Sequence, residues 1–506
     1  MEGASARRQP RQAGSAAVTG LEPAPNLPAV SWTVSAHDHL AFTDLSGDLN
    51  PIHTEPLVAR RLPFGQVVVH GVHLLARALD QWAAVHPDRA FSHISATFRH
   101  PVAVGAALTT EWADLDDDSS VDISVTVRGV LAVHITAQTT TNHVAFLGEW
   151  RPESRHGRVV RRVVRPAVRT IEELVGSHGL VAVDADMSAT VSSFPHLAVA
   201  AGRAATMELI TLSTLVGMHA PGLHSMFSSL SVATLPQDLP VGQLNYSVSR
   251  VDPRFSRITI DVEGISIAGQ VVAFVRPSPI DQSVDTSAVG ATEFAGQRWL
   301  IIGGSRGLGA AAVRLLVAGG ADVRFTYHQG HTESVELSEE TGATPVAFDV
   351  FAGDVGGRMT AIAADWRPTQ LGWFASPPIF VGTRDTYDDT LHQRFVLAYV
   401  DAFTAAIVAL APHGLVGALW PSSEAVGMTV SGLAEYSDAK RLGEHRCDEL
   451  RHEWPGLAIA APRLPRLLTD QSTAFVPTEF GDTAAEVLAA LRATRGVTGG
   501  EAASPA

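Results

Sequence analysis

The amino-acid sequence predicts a protein of several domains, with an α+β first half followed by an α/β second half that holds a doubly wound parallel sheet. At 506 residues the chain is longer than one hydrophobic core supports, and roughly one domain per 100–200 residues gives about three domains. The first half combines helical spacing with runs of β-branched residues. The second half opens on an apolar strand, a glycine turn and an alanine-rich helix, an order typical of a parallel sheet.

Composition and charge exclude several classes of function. The net charge of -15 argues against a nucleic-acid binder, which would neutralise phosphates with a basic face. The one cysteine, Cys447, excludes an intrachain disulfide and a cysteine-rich metal site, and is consistent with a reducing compartment. No apolar run reaches the roughly 18 residues of a membrane span, and the first thirty residues lack the apolar stretch of a secretory signal. We therefore expect a cytoplasmic protein without nucleic-acid, membrane or metal partners.

The order of the chain separates domains from connecting segments. Four segments are predicted to lack a core of their own, namely the disordered tails 1–30 and 496–506, the basic linker 151–169 and the linker 281–294. The arginines of 151–169 fit a solvated linker or charged edge strand, or a surface that attracts an acidic carrier protein or a nucleotide phosphate. The predicted domains are 31–150, 170–280 and 295–495.

The first domain is organised around residues 42–53, which read FTDLSGDLNPIH. Asp48, Asn50 and His53 form the polar core of this segment, and a glycine and a proline fix the turn around them. A carboxylate and an imidazole on one rigid turn can hold opposite protonation states, and an amide between them can orient water or a hydroxyl. The segment therefore predicts acid/base chemistry.

This turn and the apolar run that ends in His70-Gly71 resemble the signature of the MaoC-like, or hydratase-2, family of hot-dog folds. The resemblance implies dehydration of a 3-hydroxyacyl thioester, or the reverse hydration. We expect Asp48 and His53 to share the removal of the α-proton and the protonation of the leaving hydroxyl, in an order left open. Asn50 would position the hydroxyl or water, and the Gly71 amide would polarise the thioester carbonyl.

The spacing of apolar residues predicts the elements of two such units. In the first unit, a helix over 71–84 is followed by strands over 91–98, 107–114, 119–128 and 130–140. In the second unit, a helix over 200–219 is followed by strands over 223–232, 244–251, 257–262 and 265–275. The second unit lacks the Ser-Gly-Asp signature, so we expect it to be structural or to shape the substrate channel, with His224 either a substrate contact or a loop histidine. The predicted fold is thus a double hot dog followed by a Rossmann-type parallel sheet.

The second half carries a nucleotide-binding pattern. The strand 299–302 enters a glycine turn and then the helix 310–318, so that backbone N–H groups at the helix N-terminus can face a pyrophosphate. The cofactor contacts predicted in this turn are Gly303, Ser305, Arg306, Gly307, Leu308 and Gly309.

Tyr436 and Lys440 lie one helical turn apart, and Ser423 precedes them in the chain. With the glycine turn, these residues resemble the short-chain dehydrogenase/reductase family over about 295–490. The resemblance implies that Tyr436 exchanges a proton with the carbonyl oxygen, that Lys440 lowers the pKa of Tyr436 and binds the ribose, and that Ser423 holds the carbonyl. Two segments depart from the family: 374–378 replaces Asn-Asn-Ala-Gly, and 394–399 lacks the catalytic Asn. These departures put the proton relay in doubt.

The end of the second strand of this domain favours NADPH over NADH. No acid stands there to bind a ribose 2′-hydroxyl, whereas Arg306 and His328 can meet a 2′-phosphate. Asp349 either contacts the adenine or is an ordinary aspartate at a strand end.

The two halves together predict a 3-ketoacyl-thioester reductase joined to a 3-hydroxyacyl-thioester dehydratase, in polyketide or fatty-acyl biosynthesis. A β-oxidation hydratase with an NAD-dependent dehydrogenase, and a dehydratase with a non-catalytic nucleotide-binding scaffold, are the alternatives. The acyl group would be carried by coenzyme A or an acyl carrier protein. By analogy with both folds, we expect a homodimer or larger homo-oligomer.

Overall fold

The computed structural model describes residues 29–62, 65–115, 119–141, 163–234, 242–277, 280, 283–381, 387–428, 430, 432–472 and 479–494. Residues 1–28 of the predicted N-terminal tail, residues 151–162 of the basic linker and the predicted tail 496–506 lie outside these ranges. The prediction of a tail over 1–30 was wrong at its end, because Ala29 and Val30 begin the first strand.

Two units with a similar content of helices and strands together form one antiparallel sheet. Unit 1 (29–140) contains β1 (Ala29–Thr33), α1 (Ala36–Ser46), α2 (Pro51–Thr54), α3 (Pro56–Ala59), α4 (Gly71–Val85), β2 (Ala90–Phe98), β3 (Ala107–Asp114), β4 (Ser120–Val127) and β5 (Val130–Thr140). Unit 2 (178–275) contains β6 (His178–Ala182), α5 (Met187–Ser193), α6 (Pro195–Ala200), α7 (Arg203–Thr214), a π-helical turn (Leu215–His219), β7 (Ser225–Thr234), β8 (Gln243–Asp252), β9 (Arg257–Glu263) and β10 (Ile267–Val275). A 3₁₀ turn, Pro253–Phe255, joins β8 to β9.

The two units share one sheet and one core. Their ten strands follow the order β1-β3-β4-β5-β2-β7-β10-β9-β8-β6, and the units join where β2 pairs with β7, with Ile94 opposite Val232. The predicted apolar stripe of the helix over 71–84 lies on α4, and its members Leu75 and Leu79 are fully buried. One continuous apolar cluster includes α4 and the corresponding helix α7 of unit 2. Pairing the two inner strands leaves neither of them as an exposed edge.

The helix α1 was missed by the sequence analysis, which treated residues 42–53 as a turn. Ser35 caps α1 through a capping box, because its hydroxyl accepts from the Asp38 N–H while the Asp38 carboxylate accepts from the Ser35 N–H. Low amphipathic periodicity in this segment hid the helix. Both of its ends are nevertheless encoded locally, by the serine at the start and by Gly47 at the finish.

The parallel-sheet domain (298–493) has the topology of a dinucleotide-binding fold. Its main elements are β11 (Arg298–Ile302), α8 (Gly307–Ala318), β12 (Asp322–Tyr327), α9 (His331–Thr341), β13 (Thr344–Ala347), α10 (Val355–Trp366), β14 (Gln370–Trp373), α11 (Asp389–Val396), a π-helical turn (Leu397–Asp401), α12 (Ala402–Leu410), β15 (Gly417–Leu419), β16 (Ser422–Ser423), α13 (Ala434–Glu453), β17 (Ala458–Ala460), β18 (Arg463–Leu464) and α14 (Thr483–Ala493). Two 3₁₀ turns, Ala411–His413 and Glu424–Gly427, complete it. Six parallel strands follow the order β13-β12-β11-β14-β15-β17, which reverses direction beside β11. Ligands bind in the crevice at such a reversal, outside the carboxyl ends of the strands.

One helical segment of this domain, Asp389–His413, is 25 residues long and apolar enough by composition to cross a membrane. Phe395, Phe403 and Ile407 of this segment are buried in the core beneath the parallel sheet. Such packing gives the core helices of globular domains the same apolar composition.

Candidate active sites

The acid/base turn of unit 1 lies between two helix ends. The chain leaves α1 at Gly47, whose φ of 76° belongs to the left-handed region that glycine adopts without strain. Asp48 follows directly. Asn50 caps α2 by accepting a hydrogen bond from the Ile52 N–H at 3.3 Å, and His53 lies on that helix. The side chains of Asp48 and His53 therefore project from backbone that the neighbouring helix ends hold in place.

Asp48 is buried and is held by both units. Its Oδ1 accepts from the Asn50 N–H at 3.2 Å, and its Oδ2 accepts from the Ser213 hydroxyl of α7 at 2.7 Å. Burial raises the pKa of the Asp48 carboxyl to about 6, although the hydrogen bonds from Ser213 and Asn50 oppose that rise. Near neutral pH, this carboxyl can therefore give or take a proton.

Gly217 of unit 2 makes the space that Asp48 occupies. It belongs to the π-helical turn after α7, a rare geometry that is frequent at functional sites. A Cβ atom at Gly217 would lie 2.1 Å from the Asp48 Oδ1. The sequence analysis missed both Ser213 and Gly217, because neither belongs to a local motif and both meet Asp48 only through the fold.

His53 is held in its neutral form. Its Nδ1 lies 2.7 Å from the Val68 carbonyl oxygen, and since that oxygen only accepts, Nδ1 carries the proton and Nε2 is left with a lone pair. Burial lowers the pKa of His53 to about 3. The His53 ring stacks on His70 with centroids 3.8 Å apart, and the His70 Nε2 donates to the Asp48 carbonyl oxygen at 3.2 Å. His70 thus positions both functional residues.

Asp48, His53 and His70 converge, with a nitrogen or carboxylate oxygen from each within 4.8 Å of the others. This composition also occurs in metal sites. The His70 Nε2 lies 3.9 Å from the Asp48 Oδ2 but donates its hydrogen bond to the Asp48 carbonyl oxygen. Because this nitrogen carries a proton, it offers no lone pair to a metal. The arrangement suits proton transfer between Asp48 and His53 better than metal binding.

The acid/base pair borders a mainly apolar cavity that both units line. Asp48, His53 and Gly71 face it from unit 1, and Ser213 and Gly217 face it from unit 2. Its apolar walls consist of Ile52, Val68, Val69, Leu74, Phe98, Val102, Val133, Val216, Met226 and Phe227. A cavity with apolar walls and a few convergent polar groups fits an acyl chain.

Gly71 is the first residue of α4, so its N–H lacks a partner within the helix and points along the positive end of the helix dipole. A Cβ atom at this position would lie 2.9 Å from the Phe98 ring. Glycine therefore allows Phe98 to close over the cavity wall beside an amide that can donate to a carbonyl oxygen.

Asn50 does not occupy the predicted position beside the substrate. Its Nδ2 donates to the Gly217 carbonyl at 3.0 Å and to the Gly222 carbonyl at 3.1 Å, and the side chain is fully buried outside the cavity lining. The prediction that Asn50 positions a hydroxyl or water is therefore corrected, because its amide joins unit 1 to unit 2. His224 also lies outside the cavity lining, and its carbonyl accepts from the Arg276 N–H.

The glycine turn of the parallel-sheet domain has the close backbone approach that a dinucleotide needs. Gly303 has a φ of 78°, and a Cβ there would lie 2.6 Å from the Ala375 nitrogen. A Cβ on Gly309 would lie 2.1 Å from the Gly303 carbonyl oxygen. Ser305 and the N-terminus of α8, at Gly307, complete the turn. These residues fit a bound pyrophosphate, since the turn presents backbone N–H groups and its glycines allow a close backbone approach.

The residues predicted to face the adenosine end of the cofactor lie around this turn. Arg306 is the N-cap residue of α8, and Leu308 follows in its first turn. The His328 Nε2 lies 3.4 Å from the Asp349 Oδ2, so these two residues contact each other after the strands that carry them.

The structure brings Ser423, Tyr436 and Lys440 together at the carboxyl end of the sheet. Burial raises the pKa of Tyr436 to about 12, opposed by a hydrogen bond with the Ser423 hydroxyl. The Lys440 ammonium donates to the Pro421 carbonyl at 2.7 Å, and burial lowers its pKa to about 7. A protonated phenol beside a serine hydroxyl can donate a proton to a carbonyl oxygen.

The two segments that depart from the reductase pattern contact each other. Tyr399, on the π-helical turn after α11, shares a hydrogen bond of 2.6 Å with the Ser376 hydroxyl. Its ring lies under Lys440, with the Nζ 4.0 Å from the ring centroid. Sequence reasoning noted the missing asparagine but missed Tyr399 as the residue that packs against the lysine.

The comparisons with known proteins include a family similarity over the residues that carry the first of these sites. The family model for the MaoC like domain matches residues 22–150. This match covers about a quarter of the chain and includes the acid/base turn of unit 1. The 3-hydroxybutyryl-CoA dehydratase of Methylorubrum extorquens is 34% identical over 74 residues, which cover 14% of this chain and 47% of that relative.

Other similarities include one to a cyclic-di-GMP-binding biofilm dispersal mediator protein of Escherichia coli, 54% identical over 56 residues, or 11% of this chain and 24% of that protein. The chain thus spans about a quarter and about half of the two curated relatives. Among solved structures, BdcA in complex with NADPH is 27% identical and covers 40% of this chain and 89% of its own, with a TM-score of 0.36. A short-chain type dehydrogenase/reductase from Mycobacterium ulcerans is 18% identical, covers 40% of this chain and 84% of its own, and has a TM-score of 0.36.

Proposed function

We propose that this chain is a bifunctional enzyme, an NADPH-dependent 3-ketoacyl-thioester reductase joined to a 3-hydroxyacyl-thioester dehydratase. Units 1 and 2 would form a double hot dog with one dehydratase site, in unit 1. The observation that carries the proposal is the convergence of Asp48 and His53 beside an apolar cavity, with their pKa values shifted in opposite directions. The matching relative named 3-hydroxybutyryl-CoA dehydratase supports an acyl thioester as the substrate.

The pKa shifts support one of the two orders of acid and base that the sequence left open. His53 is neutral with a lone pair on Nε2, so it takes the α-proton of the 3-hydroxyacyl thioester. Asp48, whose pKa lies near 6, gives its proton to the 3-hydroxyl, which leaves as water. The Gly71 amide stabilises negative charge on the thioester oxygen. After the reaction His53 is an imidazolium, because it has taken the α-proton of the substrate, and Asp48 is a carboxylate, because it has given its proton to the hydroxyl. Transfer of a proton from His53 to Asp48 then restores the starting state.

At neutral pH the proposed reductase site holds the protonation state that reduction requires. NADPH, when bound, supplies a hydride to the carbonyl carbon. With a pKa near 12 the Tyr436 phenol is protonated at neutral pH, so it donates a proton to the carbonyl oxygen, to which the Ser423 hydroxyl also donates a hydrogen bond. Oxidation of an alcohol would need the phenolate, which burial disfavours. The end of β12 carries no acid for a ribose 2′-hydroxyl, which favours NADPH and supports biosynthesis over a β-oxidation enzyme.

Replacement of Asp48 by Asn tests the dehydratase assignment. We expect hydration of crotonyl thioesters to fall by about 10³-fold or more while the NADPH Kd stays unchanged, because the acid is lost without a change of shape. Asp44→Asn, on the exposed face of α1, the helix that ends just before Asp48, is the matched control and should retain hydration. Hydration by Asp48→Asn at the wild-type rate would refute the proposed site.

Assays with acetoacetyl thioesters separate the reductase from a nucleotide-binding scaffold. NADPH oxidation by the wild type is expected to follow the thioester concentration. Binding of NADPH without turnover, across coenzyme A and carrier-protein thioesters, would favour the scaffold and contradict the reductase half of the proposal.

A further inference from the structure

Two arginines of unit 1 reach the nucleotide turn of the parallel-sheet domain. Arg60 and Arg61 directly follow α3, the short helix after the one that carries His53. The Arg60 guanidinium forms an ion pair with Glu333 of α9. The Arg61 Nε donates to the Asp470 Oδ2 at 3.2 Å. Neither contact belongs to the core of unit 1. Arg60 and Arg61 therefore lie at the boundary between unit 1 and the parallel-sheet domain.

Arg60 and Arg61 surround the arginine of the glycine turn. The Arg306 Nη1 donates to the Arg60 carbonyl oxygen at 3.1 Å and lies 3.7 Å from the Asp470 Oδ2, which Arg61 also contacts. Three guanidinium groups thus meet two carboxylates, of Glu333 and Asp470. Arg60 and Asp470 are buried, with 8% and 5% of their side chains exposed, whereas Arg61 and Arg306 are 29% and 27% exposed.

Arg60 lies beside the place where a dinucleotide-binding sheet holds the adenosine ribose of its cofactor. Gly330 follows β12, and a Cβ there would lie 2.9 Å from the Ser305 hydroxyl and 3.3 Å from the Arg60 Nη1. The Arg60 guanidinium therefore lies where the glycine turn and the end of the second parallel strand meet. A cofactor of this fold places its ribose 2′-substituent at this point.

We propose that Arg60 and Arg61 of unit 1 complete, with Arg306, the site for the 2′-phosphate of NADPH. The inference rests on the proposed function, since it takes the glycine turn as the cofactor site. A phosphate monoester suits an excess of guanidinium over carboxylate, because arginine binds phosphate oxygens in bidentate, charge-assisted pairs. Arg60 would exchange its pairing with Glu333 for the phosphate. The dehydratase unit then contributes directly to the choice of cofactor.

The test measures the Kd values of NADPH and NADH by titration of nicotinamide fluorescence with the full-length protein. We expect Arg60→Gln and Arg61→Gln each to weaken NADPH binding by about tenfold, the cost of one charged hydrogen-bond partner, and NADH binding by less than about threefold. Glu333→Gln should tighten NADPH binding, because it removes the carboxylate that competes for Arg60. A merely structural role for Arg60 would not produce opposite signs in the two members of one ion pair.

Arg128→Gln is the matched control, since Arg128 of unit 1 lies 3.6 Å from Asp388 of the parallel-sheet domain and 75% of its side chain is exposed. It should change neither Kd. Hydration of crotonyl thioesters by each variant reports whether unit 1 remains folded. Equal losses for NADPH and NADH, or tighter NADPH binding by Arg60→Gln, would overturn the inference alone. A wild type that binds neither nucleotide would overturn the proposed reductase as well.

Discussion

The candidate dehydratase site and the candidate reductase site are assembled in different ways. Asp48 and His53 lie close together in sequence, yet the groups that shape Asp48 come from unit 2, through Ser213 and Gly217. Ser423, Tyr436 and Lys440 instead all belong to the parallel-sheet domain, on β16 and α13. Unit 2, which has no catalytic signature, therefore forms part of the proposed dehydratase site. Substitutions in unit 2 should therefore affect hydration and leave reduction unchanged.

Gly217→Ala should show the largest effect of this kind. The added methyl group would overlap the Asp48 carboxylate, and we expect hydration to fall by about 10³-fold, as for loss of an essential acid, with ketoreduction kept within about twofold. Steady-state rates of both reactions on one preparation check this. Gly242→Ala, also in unit 2 but with open space around its Cβ, is the control. Equal losses in both reactions would mean that the variant misfolds.

Tyr436→Phe is the complementary change. Removing the phenol hydroxyl should lower NADPH oxidation with acetoacetyl thioesters by about 10²-fold or more, because the carbonyl oxygen loses its proton donor. Hydration of crotonyl thioesters and the NADPH Kd should remain within about twofold. A parallel loss of hydration would contradict the independence of the two sites.

Asn50→Ala should have an intermediate effect, chiefly on stability. It leaves the buried carbonyls of Gly217 and Gly222 without their donor, a loss of about 1–3 kcal/mol in the free energy of unfolding. Hydration should fall less than in Asp48→Asn, since the acid and base remain. Urea unfolding followed by fluorescence, together with the hydration rate, makes the measurement. Full stability of this variant would show that Asn50 does not join the units.

The smallest effect is a pH shift in Ser213→Ala. Dehydration needs Asp48 protonated and His53 neutral, so kcat/KM should fall as the pH rises above about 6. The Ser213 hydroxyl stabilises the carboxylate and lowers the pKa of Asp48, hence its removal should raise that pKa and move the alkaline limb to higher pH. A limb that stays in place or moves to lower pH would exclude Asp48 as the titrating acid.

Local patterns predicted more of the fold than of the sites. The strands β2, β3 and β5 and the helix α4 begin and end within a residue or so of their predicted limits, because apolar periodicity and turn residues are local signals. The helix α1 was missed because it lacks that periodicity. The parallel sheet was predicted from one strand, turn and helix, which specify a known topology.

The sites show where sequence reasoning ends. Asp48 and His53 belong to one motif and were found, and the structure places them together. Ser213 and Tyr399 have no motif, since their roles arise from contacts across the fold. Asn50 was assigned to the wrong partner for the same reason, because its acceptors are backbone carbonyls far along the chain.

Mass spectrometry of the products that the wild-type chain forms from a 3-ketoacyl thioester and NADPH tests the proposed bifunctional enzyme most directly. We expect the 2-enoyl thioester to form through the 3-hydroxyacyl intermediate, and the reaction of the Asp48→Asn variant to stop at that intermediate. No product from the wild type, or an enoyl product from Asp48→Asn at the wild-type rate, would contradict the proposed function.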